Sequence, residues 1–424
     1  MKRSNRLLAI LTACLLLAGC GAAPAPSGGS GASGAESETA QVTLPTASGG
    51  LEALGRDTAF GSGNSSGYYY LSTLDGGAFL LRYIDYATGQ DLPLCSQPNC
   101  SHSGETCPAW FAYSGTSANV YATDQQVFVT FNGSPWDSDA FAEYGEAALP
   151  RVLTLAPDGS GRREVARFGA SDAFTSLPAA GDGTFYTIVT DYGEGEGSGE
   201  KRIAAIDLAT GKVTTDDSVQ RREMRIVGAA GRELVLQSMV SDTLSAYAAY
   251  NVDSGELRDL YNSAEPVSAA CRDGALILLE TKTGTLRCIQ IATGQETTLS
   301  TDLFSGRSLD FVTLAFVTDA GYVVQAHQGR TAYNFLIDQT GKTTRQELFA
   351  DSTDPRDKLR MLDIFAQPGG DYLVAPSRSY RTVKVPGPNG VSYGIDEPVH
   401  DFALISQADF WASKPNYRPV TRLE

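Results

Sequence analysis

Basic residues are scarce in this chain. Its 424 residues include 33 Lys or Arg against 49 Asp or Glu, a formal net charge of −16 with a pI near 4.7. A surface of that sign offers little to a phosphate backbone, so nucleic acid is not an expected partner. Charge of either sign is thin as well. At 19% it falls below the roughly 25% of an average domain, which argues against a chain kept unfolded by self-repulsion. Histidine occurs only at 102, 327 and 400, so a His-dependent hydrolase has little to work with. After residue 19 there is no apolar run approaching the ~20 residues needed to cross a bilayer. Nor does any stretch hold a 3.6-residue apolar period long enough to specify a helix. Glycine, at 44, and aromatics, at 19 Tyr and 17 Phe, are plentiful instead. That mixture points to many strands joined by tight turns.

The first residues form a separate unit. Lys2, Arg3 and Arg6 precede an apolar run from Leu7 to Leu17. The run is too short to span and has the layout of a secretory signal, residues 1–19. It ends in Leu17-Ala18-Gly19-Cys20, which resembles the lipobox of bacterial lipoproteins. By that resemblance Cys20 receives the lipid and becomes the mature N-terminus. Loss of residues 1–19, with three cations and no acid, takes the formal charge from −16 to −19. Residues 20–50 carry the lipidated cysteine and a Gly/Ser/Ala linker with too few large apolar residues for a core. Thirty such residues have a root-mean-square reach of about 30 Å. The expected location is therefore the extracytoplasmic side of the cell membrane, with lipid as the anchor.

From residue 51 to 424 one element recurs: a short apolar strand, a polar turn with Gly, then another strand. The copies are YIDYATGQDLPL (83–94), LTLAPDGSGRREV (153–165), AAIDLATGKVTT (204–215), AAYNVDSGELRDL (248–260), RCIQIATGQETTL (287–299) and NFLIDQTGKTTRQEL (334–348). Their turn glycines are Gly89, Gly159, Gly211, Gly255, Gly294 and Gly341. A seventh copy without glycine is DFALISQADFWAS (401–413). Upstream of each lies a further apolar strand, such as SSGYYYLST (65–73), DQQVFVTF (124–131) or RDGALILLE (272–280). Two hairpins per unit and seven units predict an all-β fold, a β-propeller of seven four-stranded blades. A pair of sandwiches or barrels is the alternative. Closure of the ring would fall to Asp57-Thr58-Ala59-Phe60 or to the tail 417–423; the sequence does not choose. Three long insertions, 133–150, 191–201 and 377–400, each lie between the second and third strands of a unit. They should emerge on one side of the ring.

LCSQPNCSHSGETCPAW (94–110) carries the densest chemistry, with the Cys/His loop at 95–110. Cys95, Cys100, His102 and Cys107 are spaced C-x4-C-x-H-x4-C. Three thiols and an imidazole suit a tetrahedral structural zinc site. One disulfide with a spare thiol suits an extracytoplasmic compartment equally well. Ligation would require a turn between Cys100 and His102, because alternate side chains of an extended segment point apart. Four protein ligands leave no open position, so either role is structural rather than catalytic. The loop should lie at the rim or on the side opposite the insertions. Cys271 and Cys288 fall on the first and third strands of one blade. Two strand spacings, about 9.5 Å, exceed the reach of a disulfide, so both are expected as free buried thiols.

Other motifs are weaker. GSGNSSG (61–67) fits both G-x-S-x-G and G-x-G-x-x-G, yet YYYLST follows it where either motif needs a helix. A plain blade connection is expected there. DYGEGEGSGE (191–200) lacks the alternating ligands of a calcium loop and reads as a solvated hairpin tip.

The LAGC lipobox, the Gly/Ser linker, the phrase PLCSQPNCSHSGETC and the repeated strand–turn–strand units together resemble the β-propeller lipoproteins of clostridia-type Firmicutes. That group is similar in turn to lipoprotein-receptor-like and TolB-like propellers. The resemblance implies a fold and a location rather than a reaction. It also implies lipidation of Cys20 and a shared Cys95/Cys100/His102/Cys107 motif of unknown purpose. The expected function is a non-catalytic binding module, membrane-tethered and monomeric, whose loops hold a protein or a glycan. No catalytic residue is nominated. A carbohydrate- or peptide-directed enzyme or sensor, with carboxylates in the central mouth, is the rival. An envelope-assembly scaffold is a third reading.

Overall fold

The computed structural model describes residues 50–55, 61–193, 199–219, 221, 223–329, 331–353, 360–387 and 391–423. Residues 1–49, which hold the expected signal, Cys20 and most of the expected linker, lie outside the described residues, as does Asp57–Phe60. The described chain is a seven-bladed propeller of antiparallel four-stranded blades. Blade 1 is Gly61–Gly63, Gly67–Thr73, Phe79–Asp85 and Gln90–Pro93; blade 5 is Val267–Arg272, Ala275–Glu280, Leu286–Gln290 and Glu296–Ser300; blades 2, 3, 4, 6 and 7 take their strands from 118–167, 179–216, 225–262, 311–346 and 364–419.

The second strand of each blade explains the continuous apolar runs. It is sandwiched between neighbouring blades, so both of its faces need apolar side chains. All six residues of Ala275–Glu280 are buried. The core is accordingly not one cluster but seven, one at each junction between adjacent blades. The junction of blade 7 with blade 1 has its own cluster, with Tyr68 and Ile84 from one side and Phe365, Leu373 and Phe402 from the other. The ring is closed, and separate sandwiches are excluded.

The six turn glycines all adopt positive φ, between 65° and 82°. The polar residue heading several of these turns closes them from its side chain: Asp85 Oδ1 accepts from the Ala87 N–H at 2.8 Å, and Asp207, Asn251 and Asp338 do likewise. In the seventh copy the helix Gln407–Trp411 replaces the glycine turn.

The tail closes the ring. Arg418–Pro419 pairs with Ala403 and Leu404 as the outer strand of blade 7. Thr421–Arg422 then runs parallel to Gln90 and Asp91 on the edge of blade 1. A buried ion pair fixes this clasp: Arg82 Nε lies 2.9 Å from Asp91 Oδ1, and Arg82 Nη2 donates to the Leu423 carbonyl at 2.7 Å. The Tyr70 hydroxyl donates to the other Asp91 oxygen at 2.7 Å.

Two expectations are refined. Gly61–Gly63 is not a plain connection but the inner strand of blade 1. The register also places Cys271 opposite Leu276 and Cys288 opposite Ile277. The two thiols therefore sit on opposite faces of blade 5, at two different junction clusters; both are free, Cys288 buried as expected and Cys271 only half-buried.

The start of the described chain occupies the channel. Glu52–Ala53 pairs antiparallel with Ala179–Gly181, the innermost strand of blade 3. The Leu51 N–H donates to the Gly231 carbonyl of blade 4 at 2.8 Å. This segment takes up the side of the channel next to blades 3 and 4.

Candidate functional site

The Cys/His loop lies on the outer rim between blades 1 and 2. The outer strand of blade 1 stops at Pro93, and the chain returns at Trp110–Phe111 to pair with Phe79 and Leu80. Between these points the backbone turns with positive φ at Asn99 and His102. That is the turn the C-x-H step requires, and it brings donor atoms of Cys95, Cys100, His102 and Cys107 within 4.8 Å of one another. Cys107 Sγ is 3.5 Å from His102 Nδ1. A tetrahedral zinc site with bonds near 2.3 Å has edges of about 3.8 Å, so the set needs only a slight contraction to hold an ion. All three thiols are free. Burial pushes the Cys107 thiol up to about 12, whereas the His102 backbone N–H at its sulfur lowers the more open Cys100. This Cys3His site could hold a metal.

Sequence reading missed the residue that seats this loop. Arg162, at the outer hairpin of blade 2, donates to the carbonyls of Trp110 at 2.5 Å, Pro108 at 3.2 Å and Glu105 at 3.3 Å. Its guanidinium also stands 5.1 Å from the centre of the Phe111 ring. One planar cation thus gathers the end of a loop that has no secondary structure to order it.

The three insertions leave from second-to-third-strand connections, as expected, and alternation of strand direction puts these on one face. The first carries the helix Ser138–Tyr144, capped by Asp137. Trp136 from it meets Tyr192 of the second insertion edge-on, with ring centres 5.7 Å apart. Tyr144 meets Tyr113 at 5.3 Å. The third is a long hairpin, Asp371–Pro386 with Ser392–Ser406, laid across the blade 1 loop. Arg381 donates to Ser72 Oγ at 3.0 Å and to the Thr73 carbonyl, and it pairs with Glu397 at 2.6 Å. Glu397 in turn accepts the Thr73 N–H at 2.6 Å. Under this hairpin is a cavity of about 290 Å³ that also takes in Tyr70, His400 and Phe402.

Exposed apolar side chains concentrate on this face. Trp136 is 69% exposed, Phe141 47%, Val391 60%, Tyr393 48% and Ile395 42%, all from the first and third insertions. The tip residues 194–198 and 388–390 lie outside the described residues. Trp110 and Trp411, by contrast, pack against core clusters.

No protein-family model and no curated protein matches the chain. Among solved structures it is similar to puromycin hydrolase, with a TM-score of 0.50 and 14% identity over 91% of this chain and 55% of that one. A prolyl endopeptidase gives a TM-score of 0.50 and 12% identity, over 84% of this chain and 55% of that one. TolB from Acinetobacter baumannii gives 0.36 and 13%, over 70% and 63%. The chain thus spans about half the length of the first two proteins. At such identity the likeness shows the propeller and no activity.

Proposed function

We propose that this protein is a lipoprotein, anchored by a lipid on Cys20 to the extracytoplasmic side of the cell membrane, and that it serves there as a non-catalytic binding module. Its insertion face would hold a protein or a glycan. One observation carries the reading: three insertions from blades 2, 3 and 7 converge on one face and keep Trp136, Phe141, Tyr393 and Ile395 exposed there. Single exposed apolar side chains are ordinary, but a group of them rimmed by polar residues marks a binding surface. Aromatic rings suit either partner, since they cover apolar protein surface and stack on sugar rings. The Cys3His loop plays a structural part: a zinc ion held by Cys95, Cys100, His102 and Cys107 would order a rim segment that lacks a core of its own.

The test compares wild-type mature chain with a Trp136→Ala/Tyr393→Ala variant, each immobilised and exposed to solubilised envelope from its own cells. A component retained by wild type and lost from the variant is expected. Equal retention would remove the insertion face from the reading, and turnover of a recovered oligosaccharide or peptide would replace binding with catalysis.

A further inference from the structure

The Cys/His loop and the insertion face are joined by one segment, residues 107–117. It starts on a thiol of the rim cluster. Cys107 is 1% exposed and packs, with Ala109 and Phe111, into the apolar cluster between blades 1 and 2. The Ala109 carbonyl accepts the Leu81 N–H at 2.8 Å. Pairing of Trp110–Phe111 with Leu80 and Phe79 then carries the chain toward the insertion face.

Beyond Phe111 the segment forms a floor under that face. The Tyr113 ring covers Gly77 so closely that a Cβ there would stand 2.8 Å from it, and the same ring meets Tyr144 edge-on. Gly115, at φ 71°, lies against the helix Ser138–Tyr144. A Cβ on it would stand 2.8 Å from the Tyr144 ring and 3.0 Å from the Ala140 Cβ. The Gly115 carbonyl accepts from Ser134 Oγ at 3.3 Å, and the Ser117 carbonyl accepts the Asn132 N–H at 3.0 Å. The third insertion rests beside the same floor. Its Pro386 packs on Gly77, and the Gly76 N–H donates to its Lys384 carbonyl at 2.8 Å.

The helix cannot supply its own order. At seven residues it is well short of the roughly 12–15 at which an isolated helix is even marginal in water. Its order comes from its seat, with buried Ala140 over Gly115 and Tyr144 against Tyr113. Trp136 and Phe141, the exposed apolar residues of this insertion, are therefore held in place from residues 113–117. That stretch has no sheet of its own before Ala118 beyond the two residues Trp110–Phe111. Its anchorage at the rim falls to Arg162, which also reaches the Cys107 carbonyl at 3.4 Å, and to whatever fixes Cys107.

We propose that metal at the rim governs the insertion face. The proposal rests on reading Cys95, Cys100, His102 and Cys107 as a zinc site and the insertions as a binding surface. With zinc bound, Cys107 is fixed, residues 107–117 are held taut and the helix is seated. With the ion removed, the segment slackens and Trp136 and Phe141 lose their fixed places, an order-to-disorder switch coupled to metal. The coupling is reciprocal, so an occupant of the insertion face tightens the hold on zinc.

Hydrogen exchange of the full mature chain in detergent, read by mass spectrometry under reducing conditions, tests this with zinc added or stripped by a chelator. Amides of Ser138–Tyr144 should exchange about 5–150-fold faster in the stripped protein, the range that coupling of ordinary strength gives. Those of Ala275–Glu280 in blade 5 should keep their rate. Tyr113→Ala should still carry one zinc by elemental analysis, yet its helix should exchange fast with and without the ion, because the link is cut and the site is not. A zinc-loaded wild type whose helix exchanges as fast as in the stripped form would overturn the proposal. So would a Tyr113→Ala helix that responds to zinc as wild type does, or a blade 5 strand that speeds up equally, which would assign the ion to the whole propeller. A chain that takes up no zinc would overturn it together with the zinc reading. The readout needs no partner, so the binding reading fails separately, in the retention comparison.

Discussion

Replacing Arg82 with Ala should open the ring at its seam. The guanidinium and the Asp91 carboxylate are each about 95% buried, with side-chain exposures of 4% and 5%. Arg82 also holds the Asp91 and Leu423 carbonyls, at 3.1 and 2.7 Å. Its loss strands a buried carboxylate with one phenol partner, Tyr70, and releases the tail from blade 1. Breaking one side of a buried pair costs about 3–5 kcal/mol. With an unfolding entropy near 2.1 cal/mol/K per residue over roughly 370 residues, that is a fall of about 4–6 °C in the thermal midpoint. The surface pair Arg167–Glu164, with exposures of 32% and 34%, is the control, and Glu164→Ala should cost less than about 1 kcal/mol. Circular dichroism melts of the mature chain read all of these. The double variant Arg82→Met/Asp91→Leu should recover much of the loss, because an apolar pair of similar volume removes the stranded charge. A fall under about 1 °C for Arg82→Ala, or a double variant no better than the single, would refute the assignment of the seam to this pair.

Other outcomes follow from the same structure. Purified mature chain should carry close to one zinc per molecule by elemental analysis, and Cys107→Ser or His102→Ala should lose it and expose the rim loop to limited proteolysis; a metal-free wild type with two fewer titratable thiols would establish the disulfide instead. Cys20→Ser should move the protein from the membrane fraction to the soluble one and abolish labelling by a fatty-acid analogue, which fractionation and gel fluorescence would follow. Cys271, whose thiol burial pushes up to about 12, should resist a thiol reagent at pH 8 until denaturant is added. Reaction within seconds in the native protein would contradict the blade 5 register.

Within the described residues, much of the fold was legible because a propeller repeats its local rules. Each third strand must reverse direction in a few residues, and a positive-φ glycine does this six times over, four times after a turn closed by the side chain that heads it. Each second strand must be apolar on both faces, as Ala275–Glu280 is. The clustering of Cys95, Cys100, His102 and Cys107 was legible for a similar reason, since the residue types and their spacing are local. Even the turn at His102 followed from the geometry of a C-x-H step.

What the sequence could not decide is what joins segments far apart in the chain. Arg82 and Leu423 are 341 residues apart. The closing strands are two residues each, and pairing by backbone groups leaves no side-chain signature in so short a stretch. Filling of the channel by Glu52–Ala53 is likewise a backbone event. The meeting of Trp136 with Tyr192 required the ring to close first. Local chemistry wrote the blades, and only the closed circle set which side chains share a cavity, because that depends on the angle each blade turns through and not on any residue within it.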